Sequence, residues 1–113
     1  MFVRIYWARI YPGSWRAIRD WYPRLAAIPS PGLLGRFMTL DVNDGESMFV
    51  ITLWRDAESA ENADQSSEYR QMTDALMPFV VGAQVRSLCE VKAFDIAELL
   101  SEARNLGSSG SIE

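Results

Sequence analysis

MFVITLWRDAESAENADQSSEYRQMTDALMPFV, the stretch from Met48 to Val80, decides the fold. It opens with seven residues, Met48 to Trp54, that are apolar, aromatic or β-branched, as in a strand covered on both faces. At Arg55-Asp56 the chain turns polar, and Asp56 is a good helix N-cap because its carboxylate can accept from backbone N–H groups left free at the helix start. Ala57, Ala60 and Ala63 follow at spacing three. After a polar break at Gln65-Ser66-Ser67 come Tyr69, Met72, Leu76 and Phe79, a stripe suited to a helix laid back over a sheet. A strand, an acidic elbow and a broken helix make half of a βαβ unit, and the chain contains two such units.

Upstream, Phe2 to Tyr11 reads as the first strand, with Val3, Ile5, Trp7 and Arg9 on one face and Phe2, Arg4, Tyr6, Ala8 and Ile10 on the other. Neither face is simply polar, so both should meet protein. Pro12-Gly13-Ser14 stops the strand, with Ser14 as the expected cap of a helix whose apolar stripe is Trp15, Ile18, Tyr22 and Leu25. Pro23 should kink that helix or force it to re-form. Leu33 to Val42 is the second strand, and Asn43-Asp44-Gly45 is a hairpin turn into the third. Downstream, a fourth strand is expected from Gln84 to Phe94. A short helix should follow over Asp95–Leu106, capped by Asp95, with Ile96, Leu99, Leu100 and Ala103 on one stripe. The expected organisation is one domain over residues 1–106 and a flexible tail over 107–113.

The order β-α-β-β-α-β is the ferredoxin-like α+β arrangement, a four-stranded antiparallel sheet with both helices on one face. Trp7, Phe37, Phe49, Ile51, Leu53 and the Val85-Cys89-Val91 face cannot all fit beneath two helices. A sheet apolar on both sides needs a second cover, and the simplest is another copy of itself in a twofold dimer.

Composition narrows the function. A net charge of −4 and a pI near 4.8 argue against nucleic acid as a partner. The acid gathers at Asp56, Glu58, Glu61, Asp64 and Glu68, which reads as a solvated helix face rather than a metal site. The single cysteine, Cys89, allows no internal disulfide and fits a reducing compartment. No apolar run reaches the roughly 20 residues of a membrane helix, and the opening MFVRIYWARIYPG reads as a strand rather than a signal peptide. Cytoplasm is therefore the expected location, with no membrane partner. The chain has no histidine, which removes the commonest general base, metal ligand and haem ligand.

The pattern resembles the dimeric α/β-barrel superfamily and, within it, the antibiotic biosynthesis monooxygenase (ABM) family, over about residues 2 to 94. The matching stretches are Tyr11-Pro12-Gly13 at the end of the first strand and Pro31-Gly32-Leu33-Leu34-Gly35 at the entry to the second. Leu53-Trp54-Arg55-Asp56-Ala57-Glu58-Ser59-Ala60, followed by Ser66-Ser67-Glu68-Tyr69, completes the match. The resemblance implies a homodimer, an apolar pocket between sheet and helices in each subunit, and a cofactor-independent monooxygenase acting on a small aromatic or quinone-type compound. Many members of the family carry a histidine in the helix after the third strand, where this chain reads Glu61-Asn62-Ala63-Asp64. The haem-degrading branch needs a helical histidine near the place Thr73 occupies, and its first-strand asparagine falls near Tyr6, so haem degradation is not expected.

On this reading Tyr6, Trp54, Tyr69 and Met72 bind the substrate. Trp54 stacks on a flat ring, and the two phenols donate hydrogen bonds to a substrate oxygen. Tyr6, Tyr69, Arg36 and Asp64 are the candidates for catalytic roles, with a carboxylate such as Asp64, a tyrosine or a water standing in for the missing histidine as base. Each also has a plain structural alternative: Trp54 and Met72 as core, the tyrosines as half-buried packing, Cys89 as a structural thiol among small residues. Arg4, Arg36 and Arg86 either point into the pocket to steady an enolate or phenolate, or pair with Glu90 or Asp41 across the sheet. No cofactor and no metal are expected. The expected partners are a second copy of the chain and a small aromatic ligand. The reading from another class is a non-catalytic dimeric binding or stress-related module that has kept the barrel and lost the chemistry.

Overall fold

The computed structural model describes residues 1–95. In chain order these form β1 (Phe2–Ile10), α1 (Trp15–Ala26), β2 (Leu33–Leu40), β3 (Ser47–Trp54), α2 (Ala57–Gln65), α3 (Ser67–Leu76), a 3-10 turn (Met77–Phe79) and β4 (Val80–Glu90). The helix and tail expected beyond Asp95 lie outside the described residues, and with them the end of the expected domain.

The four strands make one sheet in the order β2-β3-β1-β4, every neighbouring pair antiparallel. This is the ferredoxin-like α+β arrangement, with the broken second helix resolved into two. The break has a local cause. Ser66 leaves helical geometry, and its hydroxyl accepts from the Tyr69 N–H at 3.3 Å, which caps α3 one residue after α2 ends. Asp56 caps α2 as expected, accepting from the Ser59 N–H at 2.7 Å.

Other local expectations change. The Ser14 side chain makes no capping bond. Proline does not break α1. Pro23 is exposed, and its carbonyl accepts from the Ala27 N–H at 3.1 Å, so the ladder resumes below it. The stripe that α1 buries is Ile18, Trp21 and Leu25. Strand β2 ends at Leu40 because the Asp41 carboxylate folds back to accept from the N–H groups of Asn43 and Asp44, at 2.7 and 3.0 Å. Strand β4 starts four residues earlier than expected and stops at Glu90. It is paired along β1 from Ile10↔Val80 to Phe2↔Glu90, so its template runs out at the start of the chain.

Alternation along the strands sorts the sheet into two faces. Ala8, Ile10, Met48 and Val50 turn toward the helices and join Ile18, Trp21, Leu25 and Leu76 in a buried core. The opposite face carries Val3, Ile5, Trp7, Phe37, Phe49, Ile51, Leu53 and Val85, with no element of the described residues over it; Phe37 and Val85 are more than half exposed. Trp7 keeps its indole N–H satisfied there by the Ser47 hydroxyl at 2.7 Å.

Candidate functional site

Between the sheet and helices α1 and α3 lies a cavity of about 410 Å³. Its apolar wall is Trp21, Leu25, Val50 and Leu76, all buried. The Trp21 indole N–H donates to the Met72 carbonyl at 3.0 Å, which ties α1 to α3 and fixes the ring at the cavity edge. Opposite stands a polar wall. Arg4, Tyr6 and Thr52 rise from the sheet, Asp64 and Tyr69 come from the helices, and Gln84 and Arg86 come from β4.

The polar wall is organised around two groups. Asp64 accepts from Arg4 through one oxygen and pairs with Arg86 through the other, at 2.9 Å. The Tyr6 hydroxyl donates to Gln84 Oε1 at 2.6 Å, and the Gln84 amide donates to the Met77 sulfur at 3.3 Å. Gln84 follows an irregularity in β4, where the pairing with β1 shifts between Trp7 and Arg9 and Gly82 adopts φ 70°.

Burial pushes the Tyr6 phenol up to about 12; the nearby Arg86 charge partly opposes this and Tyr69 adds to it. Tyr69 is also raised, again by burial first, with Arg36 the largest of the opposing charges and Asp64 reinforcing the shift. Both phenols therefore stay protonated at neutral pH. They can give or accept hydrogen bonds but cannot serve as resident phenolate bases.

Of the residues expected at the site, Tyr6, Tyr69 and Asp64 come together on one cavity, joined by Arg4, Arg86 and Thr73, whose hydroxyl donates to the Arg70 carbonyl at 3.0 Å. Trp54 and Met72 do not line it. Trp54 is buried one pair beyond Thr52 on β3, its indole N–H held by the Thr52 hydroxyl at 2.7 Å, and Met72 packs against the core. Arg36 faces the helices from β2, close enough to act on the Tyr69 phenol, but stands outside the cavity lining.

The strand arginines do not pair with Glu90 or Asp41. Glu90 lies beside Lys92 at 2.7 Å, and Asp41 is spent on its turn. Cys89 is exposed on the open face rather than enclosed. The pocket is also less apolar than expected, because its lining includes Arg4, Asp64, Arg70, Asp74 and Arg86. Trp21, Thr52 and Gln84 are site residues that the strand and helix patterns did not single out. Trp21 sits three after Ile18 and four before Leu25, so the helical spacing already contained it. Among the described residues, no three His, Cys, Asp or Glu side chains gather as metal ligands.

No family model matches the sequence, and no curated protein matches it. Solved structures do match by shape. A crystal structure described as an antibiotic biosynthesis monooxygenase superposes with a TM-score of 0.71 at 15% identity, covering 82% of this chain and 100% of that one. SnoaB, a cofactor-independent oxygenase from Streptomyces nogalater, gives 0.72 at 14%, covering 82% and 94%. A conserved protein from Methanosarcina mazei gives 0.72 at 12%, covering 81% and 94%. At these identities the likeness is one of fold: the chain has the ABM-like ferredoxin fold.

Proposed function

We propose that this protein binds a small aromatic or quinone-type compound in the sheet–helix cavity and oxygenates it with dioxygen, without a cofactor. The observation that carries this reading is a cavity of drug-like size with an indole and aliphatic wall facing two neutral phenols and a guanidinium pair. The flat ring lies against Trp21 and Leu25. Its oxygen meets Tyr6 and Arg86, which stabilise negative charge as the substrate loses its proton. The ring anion then gives electrons to dioxygen. For a phenol with a free para position, one oxygen atom becomes the second quinone carbonyl, the other leaves as water with two substrate hydrogens, and the substrate is oxidised by four electrons.

The similarity in fold to SnoaB, described as a cofactor-independent oxygenase, supports this reaction class. One observation favours the non-catalytic alternative: Asp64, the carboxylate expected as base, has both oxygens engaged by arginines. Deprotonation then falls to Asp74, the other carboxylate of the lining, or to water. The open apolar face supports a homodimer formed sheet against sheet.

Oxygen uptake on a panel of hydroxylated polycyclic aromatics tests the reading. Consumption matched one-to-one by quinone, and lowered at least tenfold in Arg86→Gln, is the expected result. Tight binding with no uptake across the panel would leave a binding module in its place.

A further inference from the structure

Across the floor of the sheet runs a row in which Arg36 of β2 is paired with Thr52 of β3, and Thr52 with Arg4 of β1. Directly paired residues share a face, and all three turn toward the helices. Among the described residues, the buried side-chain nitrogen or oxygen atoms without a hydrogen-bond partner are Arg36 Nε, Arg36 Nη2 and Arg4 Nε. All three are guanidinium donors, and all belong to this one row. Thr52 between them is 2% exposed and accepts from Trp54, which leaves its own hydroxyl hydrogen to donate. Asp64, the carboxylate that meets this row, already serves Arg4 and Arg86. Arg4 and Arg86 thus share one acid, and Arg36 has no ion pair among the described residues.

Buried donors of this kind are costly unless something accepts from them. Arg36 and Arg4 stand two strand spacings apart, about 9.5 Å, a gap that two long side chains close around a group the size of a carboxylate. Thr52 and Arg4 line the cavity, and Arg36, just beyond the lining, completes the row from the neighbouring strand.

We propose that the Arg36–Thr52–Arg4 row is the seat of a carboxylate carried by the ligand, so that the compound bound in this cavity is an aromatic acid. The proposal rests on the aromatic-binding reading above and adds the acid group. The carboxylate accepts from Arg4 Nε on one side, from Arg36 Nε and Nη2 on the other, and from the Thr52 hydroxyl below. Its ring lies toward Trp21, which leaves the Tyr6–Arg86 end for a second oxygen.

Calorimetric titration of the full chain with 2-naphthoate, 2-naphthamide and 2-naphthol tests it. Naphthoate should bind at least about tenfold tighter than the amide, the scale of one charge-assisted contact. Arg36→Gln should bring that ratio near one while leaving naphthol affinity within about twofold, and Arg36→Lys should keep part of the preference. Circular dichroism of each variant confirms that it is folded. Equal binding of acid and amide to the wild type overturns the carboxylate seat while the aromatic cavity stands. So does a preference that survives Arg36→Gln. Competition by chloride or phosphate as strong as by naphthoate overturns the aromatic acid in favour of a general anion site. Binding of none of the three probes removes the cavity reading and this proposal together.

Discussion

Tyr6 shows how one side chain's surroundings set its chemistry. A phenol held up to about 12 stays neutral in the folded chain while the unfolded chain ionises near 10. Between those values the unfolded state has lost a proton that the native state keeps, so stability falls as pH rises from about 10 toward 12. Absorbance titration near 295 nm should show late phenol ionisation that shrinks in Tyr6→Phe, the remainder belonging to Tyr69. A wild-type chain whose phenols all ionise near 10 while still folded would contradict the burial described for Tyr6 and Tyr69. Arg36 makes the opposite kind of statement, because two of its guanidinium nitrogens, Nε and Nη2, are buried without an acceptor. Arg36→Met, of similar length and apolar, should raise stability by about 1–3 kcal/mol in urea unfolding. A loss of stability would mean that the cation is already satisfied within the native chain.

Among the elements, Gly32 joins the α1–β2 connection to α2. It sits at φ 86°, and a Cβ there would lie 2.2 Å from the Ser59 hydroxyl oxygen and 2.5 Å from Ser59 Cβ. Gly13 has nearly the same backbone, φ 79°, with nothing within 4 Å. Alanine at Gly13 should therefore cost only the backbone strain, about 1–2 kcal/mol, whereas alanine at Gly32 must also displace Ser59 and should cost clearly more. Thermal melts of the two variants decide it, and equal losses would contradict the contact with α2. Element order was legible in the sequence because each boundary has a chemical marker: Asp56 caps α2, Ser66 caps α3, and Asp41 closes the hairpin. The limits of β4 were not, because its length is set by pairing with β1 rather than by its own residues. The site was half legible. Tyr6, Asp64 and Tyr69, singled out because their types suit the chemistry, do share one cavity. Trp54 was misplaced because an aromatic at a strand end can turn to either wall, and here the Thr52 hydroxyl holds it in the core. Gln84 was missed because it reaches Tyr6 from an irregular stretch of β4, which period-two reading passes over.

At the scale of the whole molecule, the unresolved demand is the open face of the sheet. Val3, Ile5, Trp7, Phe49, Ile51 and Leu53 are only partly covered, flanked by exposed Phe37 and Val85. Burying such a face against its copy removes apolar area at roughly 25 cal/mol per Å², which favours association wherever the two surfaces fit. Sedimentation of the wild type should give the mass of two chains at micromolar concentration. Phe37→Glu and Val85→Glu, at positions that the single chain leaves open, should shift it to one chain without loss of helix or strand signal. A wild type that sediments as a single chain would remove the dimer.

Strand β3 lies between the two halves of this description, its even-numbered residues turned to the helices and its odd-numbered ones to the open face. Deleting one residue from its middle would scarcely alter a hydropathy plot, since greasy side chains would still point both ways. Past the deletion, though, Leu53 would turn toward the helices and Thr52 out to the open face. Sequences that drift while keeping this architecture should therefore exchange residues here freely by substitution, and gain or lose them only at the turns.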